Sequence, residues 1–121
     1  MPAPIRTPVV AIPSGATGLS ASVYIGPTEI LGYVIGPDWQ TADISLQASA
    51  DNVTFGEVLK SSDASALDLK ASAAGYFSLS PALRIGPWIK IRSGSSASAV
   101  NQTTPATVTL ILRALSGLAN E

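Results

Sequence analysis

The chain contains no cysteine and no histidine. Without cysteine there is no disulfide framework and no thiolate metal site. Without histidine the commonest general base and the commonest metal ligand are both missing. Charge is scarce as well: Asp, Glu, Lys and Arg make up 12% of the 121 residues, about half the usual quarter. The net charge is −1, and the basic residues are scattered. No basic patch therefore points to nucleic acid. No apolar run approaches the ~20 residues of a membrane helix. The opening Met1-Pro-Ala-Pro-Ile-Arg-Thr-Pro lacks the apolar stretch and cleavage pattern of a signal peptide. These absences predict a protein made in a cytoplasm, with neither membrane nor nucleic acid among its partners.

What fills the space is small and apolar. Hydrophobic residues make up 46% of the chain, and much of the rest is Ser, Thr and Gly. A free monomer normally carries more surface charge than this. Two readings follow: a Ser/Thr-coated extracytoplasmic domain, or a subunit whose surface is largely covered by neighbours. The length suits about one domain, large enough for a two-layer core and small for an elaborate catalytic cleft.

The stretch from Trp39 to Leu59 sets the fold class. Ile44, Leu46 and Ala48 alternate with Asp43, Ser45, Gln47 and Ser49, the period of a strand with one buried face. Asp51-Asn52 supplies turn chemistry. Val53 and Phe55 restart the alternation, with Gly56 marking a bulge that brings Val58 onto their face. The block reads as a β-hairpin behind an anchoring tryptophan. Strands are also predicted at residues 19–25, 29–35, 67–70, 76–79, 88–92 and 106–113. In 29–35 the apolar residues Ile30, Leu31, Tyr33, Val34 and Ile35 occupy both faces, so this strand is buried on both sides. Ile111 beside Thr107 and Thr109 marks another outer face that is not entirely wet. Three Ile-Gly-Pro triplets, at 25–27, 35–37 and 85–87, punctuate strand ends. About eight strands at roughly ten-residue spacing predict an all-β fold, a β-sandwich or jelly roll of antiparallel strands.

The organisation follows from the punctuation. Residues 1–18 hold Pro2, Pro4, Pro8 and Pro13 and predict an extended arm, with one edge strand over residues 9–12. The sandwich spans residues 19–113, and 114–121 is a short tail in which Leu115 and Leu118 fit one amphipathic turn. An ordered proline-rich arm is usually held by something. Pro4, Ile5, Pro8, Val9, Val10 and Ile12 are therefore the expected contacts with a neighbouring subunit.

Carboxylates are the only catalytic option left. Asp38, Asp43, Asp51, Glu57, Asp63 and Asp68 sit mostly at turns or outward strand positions, where Asp is ordinary solvated chemistry. Glycoside hydrolysis would need two of them at fixed separation, and calcium would need a spaced acidic loop; neither pattern is present. A serine nucleophile in Ser93-Gly-Ser-Ser would lack a His partner. The expectation is no enzyme, no catalytic or metal-binding residue and no cofactor. Trp39 and Trp88 are candidates for glycan binding, against the simpler reading of each as a core anchor.

The segment Ala42-Asp-Ile-Ser-Leu-Gln-Ala-Ser-Ala-Asp-Asn-Val-Thr-Phe resembles a hairpin pattern of small β-sandwich modules. That pattern occurs in discoidin-like carbohydrate-binding domains and in small virion proteins of tailed bacteriophages, including head decoration proteins. Trp88-Ile-Lys-Ile-Arg-Ser-Gly and Pro105-Ala-Thr-Val-Thr-Leu-Ile-Leu resemble the late strands of the phage proteins, joined by a Ser/Ala loop that holds Val100-Asn101-Gln102. The resemblance spans residues 39–113 and consists of turn and strand chemistry; Asn52 departs from the glycine often found there. It implies a structural component of a virion, such as a capsid decoration protein on the capsid exterior, assembled in the host cytoplasm. The partners implied are the major capsid protein and further copies of the chain. The alternatives are a carbohydrate-binding β-sandwich module displayed on the particle, meeting surface glycans, or a neck or tail structural component.

Overall fold

The computed structural model describes residues 5–14, 18–60, 64–65, 67–71, 73–95 and 98–114. Every regular element among them is a strand: β1 (Ile5–Arg6), β2 (Val9–Ile12), β3 (Val23–Tyr24), β4 (Thr28–Ile35), β5 (Ile44–Ser49), β6 (Gly56–Glu57), β7 (Asp68–Leu69), β8 (Gly75–Leu83), β9 (Trp88–Ser93) and β10 (Ala106–Ala114). They form two antiparallel sheets. Sheet I runs β1 and β2, then β10, β4 and β8; sheet II runs β3, β9, β5, then β6 and β7. The protein is a β-sandwich. Six of the nine connections between consecutive strands pass from one sheet to the other.

Period-2 alternation builds the core. Val10 and Ile12, Val108, Leu110 and Leu112, and Ile30, Tyr33 and Ile35 face inward from sheet I. Ile44, Leu46, Ile89 and Ile91 meet them from sheet II. Tyr33 stacks on Phe77 with ring centroids 5.3 Å apart and planes 8° from parallel. Its hydroxyl donates to the Lys70 carbonyl at 2.6 Å. Burial, with Asp43 nearby, pushes its pKa above the ordinary tyrosine value.

Several strand ends depart from the sequence expectation, each for a local reason. The strand expected over 19–25 shortens to Val23–Tyr24, and Leu19 keeps one isolated bridge to Arg92. The alternation expected from Val53 does not form: Val53 is 80% exposed. The Asp51 carboxylate accepts the backbone N–H groups of Val53 and Thr54 at 2.9 and 3.0 Å, folding the chain into a tight turn, so β6 begins only at Gly56. Pro81 does not end β8. It sits at the sheet edge, where its missing N–H removes no ladder bond. Between Ser78 and Leu83 β8 also bulges away from β4, so this long edge is blunted.

The first segment belongs to sheet I. β2 pairs with the first half of β10 and β1 with its end, so the sheet extends ahead of residue 19. Pro4, Asp63, Leu115 and Leu118 lie outside the described residues.

Candidate interaction face

The outer side of sheet I follows from the same alternation. Because Val10, Val108, Leu110, Tyr33 and Phe77 point inward, their strand neighbours point out. Register places Val9 opposite Thr109, Thr109 opposite Val34, and Val34 opposite Tyr76. One row therefore crosses the whole sheet as Val, Thr, Val, Tyr. The next rows are Ala11 with Thr107, and Ile111 with Gly32 and Ser78. No charged side chain occurs in these three rows. Val9 and Tyr76, at the two ends of the first row, are 65% and 84% exposed. Solvated antiparallel faces usually carry polar and charged residues; interface cores are depleted of charge.

Charge appears at one end of the face. Arg113 lies opposite Glu29 in register and donates to its Oε1 at 2.9 Å. Arg84 approaches the other oxygen at 3.7 Å. The Glu29 side chain is almost wholly covered by this arrangement.

Sheet II presents a different outer face. Ser45, Gln47 and Ser49 of β5 register with Arg92, Lys90 and Trp88 of β9. Arg92 is only 8% exposed. Its two terminal nitrogens hold the Glu57 carboxylate, and Nη1 also donates to Ser45 Oγ at 3.0 Å. Gln47 Nε2 donates to Glu57 as well, at 2.9 Å. Hydrogen bonding from Arg92 holds the Glu57 carboxyl below the ordinary carboxylate range. Lys90 sits 4.4 Å from the centre of the Phe55 ring. This face satisfies its own polar groups; the face of sheet I has Val34, Thr109 and Ile111 at its middle, each half-buried.

The residues singled out by sequence separate into two groups. Of the expected arm contacts, Val10 and Ile12 turn into the molecule's own core, because β2 is a strand of sheet I, and their side chains are closed to a partner. Ile5 and Val9 are exposed, and Pro8 is half-buried with its carbonyl accepting the Leu110 N–H at 3.0 Å. Trp39 packs against the core, its indole N–H donating to the carbonyls of Ala71 at 2.6 Å and Ala42 at 3.2 Å. Trp88 stands on the outer side of sheet II, edge-on to Tyr24 with centroids 4.9 Å apart.

The carboxylates are dispersed. Asp43 pairs with exposed Lys70 at 3.1 Å, Asp51 serves its turn, Glu57 serves Arg92, and Asp38 and Asp68 are exposed. Among the described residues no group of three acidic side chains is placed to hold a metal ion, and no helix is long and apolar enough to cross a membrane.

Sequence reasoning missed Gln102. It is completely buried, accepts the Gln40 N–H through Oε1 at 2.8 Å, and returns a bond from Nε2 to the Gln40 carbonyl at 3.1 Å. No periodicity marks it, because it sits in the loop between β9 and β10. No protein-family model, curated protein or solved structure matches the chain.

Proposed function

We propose that this chain is a structural virion protein of a tailed bacteriophage, a decoration subunit that stabilises the capsid by covering the major capsid protein with the outer face of sheet I. The observation that carries the reading is the uncharged row Val9–Thr109–Val34–Tyr76, running unbroken across the sheet. A face of this kind gains stability when covered, by about 25 cal/mol for each Å² of apolar surface removed from water. The low overall charge fits the same reading, since little would have to be desolvated at the contact.

The strand order supports it from another side. β2–β10–β4–β8 over β3–β9–β5 with β6 and β7 is the order of a jelly roll built from two Greek keys, an architecture shared by viral capsid and lectin domains. The resemblance in residues 39–113 points to the phage members of that group. Copies of the chain would sit on the capsid exterior, with Ile5 and Val9 at the rim of the contact. Function of this kind needs no cofactor and no catalytic residue.

Carbohydrate binding is the second reading, and one observation favours it: Trp88 and Tyr24 form an aromatic pair on the outer side of sheet II. It would use the sheet that the capsid contact leaves free.

Electron cryo-microscopy of the intact particle tests the proposal. Density for the sandwich on the capsid lattice, sheet I down, is the expected result. Density confined to a neck or tail ring, or none on the particle, overturns it.

A further inference from the structure

Two of the three Ile-Gly-Pro triplets meet in space. The backbone N–H groups of Ile25 and Gly26 both donate to the Pro87 carbonyl, at 2.8 and 3.2 Å. The turns are locked together. Gly26 and Gly86 have φ of +61° and +116°, and a Cβ on either would press on the Tyr24 ring or on Ile25. The Thr28 hydroxyl donates to the Ile25 carbonyl at 2.8 Å. Between these turns lies a cleft of ≈ 460 Å³, walled by Tyr24, Pro27, Ile85 and Pro87 and rimmed by Arg84.

The charge around this cleft is unbalanced. Glu29 accepts its hydrogen bond from Arg113 at 2.9 Å, while Arg84 forms an ion pair with the other oxygen at 3.7 Å, beyond hydrogen-bonding distance. Arg84 is 69% exposed in its side chain. Arg6 adds a third guanidinium, reaching the Tyr24 carbonyl at 3.4 Å. Two arginines thus share one carboxylate, and a third reaches the backbone of Tyr24 on the cleft wall.

From this placement we infer that the cleft takes an acidic side chain of a partner polypeptide, with Arg84 holding the carboxylate and the proline and tyrosine side chains lying against its methylenes. Guanidinium binds carboxylate through paired, charge-assisted hydrogen bonds, and a positive cleft with apolar walls concentrates that attraction. A sugar fits less well. A pyranose needs several converging donors and acceptors, whereas the Thr28 hydroxyl is already spent on the Ile25 carbonyl. The inference rests on the cleft alone and holds whichever protein the partner is.

The test is a titration of the ¹⁵N-labelled full chain with acetyl-Gly-Glu-Gly-Glu-Gly-amide at low ionic strength, followed by amide chemical shifts. Saturable shifts at Gly26, Thr28, Arg84 and Gly86 are expected. They should weaken by roughly tenfold or more with the Gln-containing peptide, at high salt, and in Arg84→Gln. If Arg84→Gln does not fold, the Gln peptide and the salt series decide with the unaltered protein. Equal binding of the Glu and Gln peptides overturns the inference. So do shifts located elsewhere, or tighter binding in the cleft of inorganic phosphate or a galacturonate trimer.

Discussion

Arg92 and Glu57 form a two-pronged ion pair on the outer side of sheet II, with the arginine almost completely withdrawn from water. The pair ties β9 to β6 across the intervening β5. Replacing Glu57 by Ala leaves a buried guanidinium with Ser45 as its remaining partner. The expected loss is about 1.5–3 kcal/mol, the range for hydrogen bonds to charged groups; Glu57 is partly open to water, which keeps it below the loss from a fully buried pair. The double variant Arg92→Met/Glu57→Leu should cost clearly less than the two single changes added together. Urea unfolding midpoints of the four proteins measure both.

Acid should weaken the fold through two carboxylates. Backbone N–H groups of Thr54 and Val53, with the Ser49 hydroxyl, hold the Asp51 carboxyl below its ordinary range, as Arg92 does for Glu57. A depressed folded-state pKa contributes stability that is complete above the unfolded values, about 3.9 for Asp and 4.3 for Glu, and is lost as pH falls through the folded values. Asp51→Asn keeps an acceptor for the turn and removes one titration, so its unfolding midpoint should vary less with pH below about 4. At the alkaline end the raised Tyr33 pKa acts in the other direction. Its contribution is present below about 10 and lost as pH rises through the folded value. Tyr33→Phe should flatten that limb.

Some of this architecture could be read from the residues alone. β5, β9 and β10 carry alternation and β4 a run of apolar residues on both faces, over six to nine residues, and each is in place. Ile111 and Val34 were legible as apolar residues on outer faces. What could not be read was register. That Val34 stands between Thr109 and Tyr76, or that Glu29 lies opposite Arg113, depends on pairings between strands far apart in sequence. The alternation at Val53 failed because one side chain, Asp51, offered the backbone better partners than a strand would. Arg92 occupies an outward position and is nevertheless buried, its guanidinium held by Glu57 of β6 and Ser45 of β5. The proline-rich start suggested an arm with an edge strand over residues 9–12; that strand pairs with β10 and turns Val10 and Ile12 into the core.

Gln102 should prove important to the long loop before β10. Gln102→Ala removes both bonds to the Gln40 backbone, and the expected cost is about 1–3 kcal/mol. Hydrogen exchange would show it locally, as faster exchange at the Gln40 and Thr103 amides than at the β5 amides.

Gly32 of β4 lies opposite Ser78 of β8. A Cβ there would stand 2.5 Å from the Phe77 carbonyl oxygen, a backbone atom that cannot swing aside. Gly32→Ala should destabilise by about 1–3 kcal/mol, and the Tyr33–Phe77 stacking should be disturbed, visible in the near-ultraviolet circular dichroism. Gly56→Ala, where a Cβ meets nothing within 4 Å, should leave that spectrum unchanged.

Val34 and Thr109 sit beside each other at the middle of the outer face of sheet I. The most direct measurement is co-sedimentation of the Val34→Lys/Thr109→Lys double variant with expanded capsids stripped of this protein. The expected result is an unfolding midpoint close to that of the unaltered chain and capsid binding weakened by about a hundredfold, from two charges buried unpaired at a contact. A folded double variant that binds capsids as tightly as the unaltered protein would contradict it.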